Sequence, residues 1–364
     1  PKNTKKASPV YTRFLTLPTM QLENIYKSIQ DRLSRIDFDA LWHGFSSTKF
    51  AIYDETQVYF DGNYLAKTDE FLANTSIVYK GEHIAIWNVG VSGSLDFDEL
   101  TSKIVHEMFH AFQQQSHENR YPNELEAVQR YTYTSRNLTL KLEEAKYLKA
   151  FLQGKQPSDL ETFLKLRQLR FKAFPYEANY EAQVEQIEGS AQYVECLALE
   201  QLNPAKGHAA WQRLLDSIQH IERYFPTRVI SYDIGAVVLR ALDVTGVKAR
   251  IIQSDLPFSI AMLEGVEADA IEVSTNVEVE KQISAYMTQT KSIIDAALHK
   301  QDCVLEGDFP LLGINVYNAR CEGKYLTSTY FVMVEDAGQP RVLNGNFVIE
   351  LNDSGRVAKV YSQA

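Results

Sequence analysis

The chain is short of cysteine, of long apolar runs and of positive charge, and each shortage removes a class of function. Only Cys196, Cys303 and Cys321 occur in 364 residues, and no two form a C-x-x-C pair. That excludes a disulfide-stapled scaffold and a cysteine-rich zinc ribbon. Cys303 and Cys321 are near enough in sequence to bridge within the C-terminal segment, but an odd, sparse set reads better as reduced thiols. No apolar run approaches the roughly 18 residues of a membrane-spanning helix. The opening PKNTKKASPVYTRF has no apolar core of a signal peptide. A Pro1 exposed by loss of an initiator Met fits a cytoplasmic protein; an exported chain that starts after a removed signal peptide would open the same way.

The formal net charge is −10, from 37 basic and 47 acidic residues. Phosphate binding needs a basic face, so nucleic acid is not an expected partner. The one basic cluster, Lys2, Lys5 and Lys6, reads as a solvated tail. There is no P-loop, no G-x-G-x-x-G after a strand and no G-x-S-x-G nucleophile elbow.

What is present is ample core material, with 45% apolar residues and length for two or three domains. Apolar spacing predicts a helix over 19–42, through Met20, Ile25, Ile29 and Leu33. Short β-branched and aromatic runs over 48–90, separated by Asp61-Gly62 and Gly81, predict a small antiparallel sheet. From 96 to about 300 the pattern is helical. Asp96 and Glu99 open the first helix as a D-x-x-E cap. Further helices are expected near 122–153, 158–173, 178–202, 206–219, 231–244 and 279–299. After Asp302 strands return, with turn signals at Asn344-Gly345 and Asp353-Ser354-Gly355. The expected units are 1–95, 96–300 and 301–364.

One motif carries chemistry. SKIVHEMFHAFQQ holds H-E-x-x-H, with His106, Glu107 and His110. Histidines at i and i+4 stand one above the other on a helix, so both imidazoles reach one ion. The intervening Glu107 is placed to take a proton from a water at that ion. At this content of histidine and acid the pattern is expected by chance only roughly 0.02 times in a chain this long. Leu100, Ile104, Val105, Met108, Ala111 and Phe112 make an apolar stripe roughly opposite the His pair, so the helix packs through one face and presents the histidines with the other.

A catalytic zinc takes a third protein ligand. EAQVEQIEGSAQYVECLALE is the candidate helix, with Glu181, Glu185, Glu188 and Glu195 on one side. Such a row is most simply a solvated face, and spacing alone does not choose between Glu185 and Glu188. The stretch IEGSAQYVE, however, resembles the N-E-G-F-A-x-Y-V-E segment of gluzincin zinc metallopeptidases (the peptidase MA-like group), distantly the aminopeptidase N-like members. That resemblance implies Glu188 as third zinc ligand, and Gly189 as a point of close helix approach. ISYDIGAVVLRAL resembles a second segment of the same group, in which the tyrosine stabilises the oxyanion; this implies that role for Tyr232. The resemblance covers about 100–245.

It departs from the family in three places. Seventy-seven residues separate His110 from Glu188, which implies inserted helices at 121–175. No G-x-M-E-N precedes the zinc helix, so the anchor for a free substrate amine is missing; HIAIWNVG stands there instead as a candidate edge strand. Ile234 replaces the Lys of the tyrosine segment.

The resemblance implies an α+β fold: a thermolysin-like zincin catalytic domain, with a small N-terminal mixed or antiparallel sheet, a mostly helical lobe and a small C-terminal β segment. It implies a Zn2+-dependent metallopeptidase with peptide or protein substrates, endopeptidase and aminopeptidase both remaining open. The alternative is a non-catalytic zinc-binding or protein-interaction module on a zincin fold.

Overall fold

The computed structural model of the chain describes residues 21–90, 96–268 and 271–363. Lys2, Lys5, Lys6 and Met20 lie outside them. Helix α1 (Leu22–Leu33) buries Leu22, Ile25, Ile29 and Leu33 on one stripe. It does not run on to 42. Asp37 caps a new short helix, α2 (Phe38–Leu41), by accepting the Ala40 N–H, and a capping side chain starts a helix rather than continuing one.

Five strands follow: β1 (Phe50–Tyr53), β2 (Gln57–Phe60), β3 (Asn63–Ala66), β4 (Thr75–Tyr79) and β5 (Glu82–Asn88). They form one sheet in the order β3-β2-β1-β5-β4. The sheet is mixed, because β1 and β5 run parallel while the other pairs are antiparallel. Asp61-Gly62 and Lys80-Gly81 have positive φ at both residues, the tight hairpin geometry that matches strand twist. One correction concerns HIAIWNVG. It is the interior strand β5, hydrogen-bonded on both sides, and β4 beside it is an outer strand of the sheet.

The helices are α3 (Phe97–Gln115), α4 (Glu124–Arg130), α5 (Ser135–Gly154), α6 (Pro157–Ala173), α7 (Pro175–Val184), α8 (Ser190–Leu202), α9 (Pro204–Ser217), α10 (Thr227–Val244), α11 (Lys248–Ile251), α12 (Phe258–Ala261) and α13 (Val277–Lys300). A π-helical turn, Glu185–Gly189, joins α7 to α8. The expected helix over 122–153 is two. Tyr131 turns extended and its hydroxyl donates to Glu181, while the Thr134 hydroxyl caps α5 by accepting the Asn137 N–H. Helix α10 starts four residues before the expected position 231, so Tyr232 lies in its second turn. The main core joins α1, β1 and β5 to α3, α8 and α10, and includes Phe50, Ala85, Ile104, Val105, Met108, Val194 and Val238.

The C-terminal strands are β6 (Cys303–Phe309), β7 (Leu311–Ile314), β8 (Arg320–Glu322), β9 (Tyr325–Ser328), β10 (Phe331–Asp336), β11 (Gln339–Asn344), β12 (Phe347–Leu351) and β13 (Val357–Ser362). They make a three-stranded sheet, β11-β10-β7, and a five-stranded sheet, β6-β13-β12-β9-β8, around a core of their own. Asn344-Gly345 is not a hairpin: β11 and β12 lie in different sheets, so the dipeptide is the crossing between them. The two-residue hairpin is Ala337-Gly338, both at positive φ. Cys303 and Cys321 sit on the two outer strands of one sheet, four strand spacings or about 19 Å apart, too far to bridge. The described chain is thus mixed α and β with three sheets. None of its described helices is long and apolar enough to cross a membrane.

Candidate metal centre

Helix α3 is positioned by its apolar stripe. Leu100, Ile104, Val105, Met108 and Ala111 are buried and Phe112 partly so. Asp96 caps its start, accepting the Asp98 and Glu99 N–H groups at 3.0 and 3.2 Å. One turn apart on the other face, the His106 and His110 rings lie 4.8 Å from each other.

Both imidazoles are held from behind. His106 Nδ1 is 3.1 Å from Glu195 Oε2, and His110 Nδ1 is 2.8 Å from Gln113 Oε1. The Gln113 amide nitrogen donates to the Ile187 carbonyl and the Ser190 hydroxyl at 2.9 and 3.0 Å, so its oxygen must face His110. A carboxylate and an amide oxygen only accept. Each Nδ1 therefore carries the proton, and each Nε2 is left with a lone pair.

Those lone pairs point at a third acceptor. Glu188 Oε2 is 3.7 Å from His106 Nε2 and 3.1 Å from His110 Nε2, and the three ligand atoms lie within 4.8 Å of one another. Three acceptors do not converge in a low-dielectric site without a proton or cation among them. Tetrahedral zinc with bonds of 2.0–2.2 Å needs donor separations of about 3.3–3.5 Å, and the two observed distances bracket that range. This His, His and Glu donor set could hold a metal ion such as zinc. Burial on its own would lower the His106 pKa, but hydrogen bonds to Glu188 and Glu195 raise it well above its usual value. Burial likewise works against the Glu188 carboxylate, yet the two imidazoles and Arg228 hold its pKa well below the ordinary range.

Glu188 reaches this point through the π turn. The Ser190 N–H bonds back to the Glu185 carbonyl, five residues earlier. The extra residue rotates Glu188 off the face shared by Glu181 and Glu185. Gly189 then packs on α10 rather than on the histidine helix. A Cβ at Gly189 would lie 2.7 Å from Gly235 Cα, and one at Gly235 would lie 2.8 Å from Gly189 Cα. Two facing glycines let these helix backbones touch, and that contact brings α10 to the site.

Two residues of α10 use this proximity. Arg228 donates from Nη2 to Glu188 Oε1 and from Nε to Glu124 Oε1, both at 2.8 Å, and from Nη1 to the Tyr232 hydroxyl. The Tyr232 ring stacks near His106, with centroids 6.5 Å apart. Burial, and then the Glu188 charge, push the Tyr232 pKa up, so the phenol keeps its proton. Its oxygen accepts from Arg228, which leaves that proton to donate.

Glu107 faces the same cavity. Burial raises its pKa, opposed by the two imidazoles, and among the described residues none hydrogen-bonds its carboxylate. The cavity holds about 370 Å3 and is bounded by His106, Glu107, His110, Glu188, Arg228 and Tyr232 on the helical side. Asn74, Thr75 and Ser76 at the start of outer strand β4 line it too, as does Tyr317 from the loop between β7 and β8.

All five residues singled out in the sequence thus meet around one cavity. Gln113, Arg228 and Tyr317 carried no sequence-level assignment, and Glu195 stood only as one of a row. Gln113 at i+3 from His110 and Arg228 at i−4 from Tyr232 share faces with those residues, a signal helical spacing does contain. Tyr317 has none. Comparison of the chain with protein-family models, curated proteins and solved structures finds no match in any of the three.

Proposed function

We propose that the chain is a zinc-dependent metallopeptidase of gluzincin type, built on a thermolysin-like zincin catalytic unit. The observation that carries this reading is the convergence of His106 Nε2, His110 Nε2 and Glu188 Oε2, with both Nδ1 protons already committed behind them. The neighbours of that point supply the other parts of amide hydrolysis. Zinc held by His106, His110 and Glu188 would supply Lewis acidity to a water and to the scissile carbonyl. Glu107 takes a proton from the attacking water and delivers it to the amine as the C–N bond breaks. Tyr232 donates a hydrogen bond to the carbonyl oxygen as negative charge develops there. Arg228 aims both Glu188 and Tyr232. The outer edge of β4, unpaired among the described residues, offers backbone groups to an extended peptide across the cavity.

Glu107→Gln tests this directly. The variant should keep its zinc by elemental analysis and lose about a thousandfold in turnover of a fluorogenic peptide library, the size expected for a lost general base. Equal turnover by parent and variant sinks the mechanism. A zinc-loaded parent with no turnover on any peptide would instead favour the binding role.

A further inference from the structure

The C-terminal β module bears no motif, yet it reaches the proposed metal centre. Its Tyr317 hydroxyl is 3.3 Å from the Tyr232 hydroxyl, and its ring lies over the Arg228 guanidinium at 4.8 Å. The residue is 55% exposed and lines the same cavity as His106, Glu107 and Glu188.

The loop that presents it is tied down. Asn315 accepts the Tyr317 N–H at 3.2 Å and donates to Thr329 Oγ1 at 3.0 Å, and Thr329 donates to Asn318 Oδ1 at 2.8 Å. The module itself is held against the helical lobe at two places. Leu125 and Val128 of α4 pack on its core, while Glu124 of the same helix pairs with Arg228. Arg320 on β8 donates to the Tyr286 carbonyl and Thr290 hydroxyl of α13 at 3.2 and 3.1 Å. An exposed tyrosine on a braced loop offers a rigid ring and a hydroxyl at small entropic cost. Either hydroxyl of the Tyr232–Tyr317 contact can donate; with the Tyr232 proton turned to a bound carbonyl and its oxygen accepting from Arg228, the Tyr317 hydroxyl also has its proton to give, from the lining of the same cavity.

We infer that Tyr317 is a substrate-binding residue, its hydroxyl donating to a backbone carbonyl of the bound peptide beside the scissile bond. The C-terminal module is then a wall of the active site rather than an appendage. This rests on the peptidase reading, and the experiment separates the two. Two probes are titrated by calorimetry into the zinc-loaded full chain: acetohydroxamate, which needs only the metal, and an N-acetylated leucyl-glycine hydroxamate, which also spans the cleft. Tyr317→Phe keeps the ring over Arg228 and removes only the hydroxyl. It should weaken the dipeptide probe roughly three- to tenfold, the worth of one hydrogen bond, and leave acetohydroxamate unchanged. Tyr317→Ala should weaken the dipeptide probe further. Equal binding of the dipeptide probe by parent and Tyr317→Phe overturns the inference. So does an equal loss for both probes, which would mean that Tyr317 acts through Arg228 on the metal ligands. If neither probe binds the zinc-loaded parent, the peptidase reading fails and takes this inference with it.

Discussion

One helical stretch, from Glu181 to Glu195, feeds two polar clusters of opposite design. Toward α5 and α6, Glu181 and Glu185 join Glu144 in a closed set with Lys141, Arg167 and Arg170. Its ion pairs run from 2.6 to 3.2 Å. Three cations meet three carboxylates, and the two glutamates of this stretch are 1% exposed. Toward the cavity, Glu188 and Glu195 are 14% and 18% exposed. There Glu107, Glu124 and Glu188 line the wall, Glu195 stands behind His106, and Arg228 is the sole Lys or Arg among the described lining residues. A buried cluster that balances its own charge is finished. One that leaves acids in excess around convergent lone pairs could hold a cation. The residue type is the same in both; what differs is burial and what closes the charge count.

If the first cluster is a balanced unit, removing one cation leaves buried carboxylates uncompensated. Arg170→Met should lose about 3–5 kcal/mol of unfolding free energy in urea; a loss under about 1 kcal/mol would break the contrast. The same cluster gives a pH signature. Burial alone would raise the Glu181 pKa, but Arg170 and Lys141 hold it at about 2, against an ordinary 4.5. A depressed folded-state pKa means stability that is present above the unfolded value and lost as pH falls toward the folded one. The stability advantage of the parent over Glu181→Gln should therefore shrink by roughly 3 kcal/mol between pH 5 and pH 2. A pH-independent difference would show that the ion pairs do not hold Glu181 ionised. The smallest effect is expected in the open cluster, where Glu195 orients His106 without itself facing the site. Glu195→Ala should weaken zinc roughly 10- to 100-fold in a chelator competition and leave the acid limb set by Glu181 intact. Unchanged zinc affinity would remove Glu195 from the centre.

The parts of this molecule that were legible in the sequence are those that local periodicity encodes. The α3 stripe, the D-x-x-E cap and the i, i+4 histidines are all short-range patterns on one regular helix. So are the Asp61-Gly62 and Lys80-Gly81 turns. Errors came where a long-range partner overruled a local signal. Tyr131 breaks the expected 122–153 helix, its hydroxyl bonded to Glu181, fifty residues on. Asn344-Gly345 has hairpin chemistry, but its flanking strands pair elsewhere. HIAIWNVG reads equally well as an edge or an interior strand, because alternation reports faces and not neighbours.

By itself, then, the sequence determined that His106 and His110 share one helix face, with Glu107 somewhat aside, because 3.6 residues per turn stacks i over i+4. It also placed a row of four glutamates on a second helix. Only the tertiary structure divided that row. The π turn at Glu185–Gly189 inserts a residue that no helical wheel anticipates, and the Gly189–Gly235 contact brings Arg228 and Tyr232 within reach. Which carboxylates close a salt-bridge cluster and which face the cavity depends on what lies across from each. That depends on packing between elements far apart in the chain, which sequence spacing does not carry.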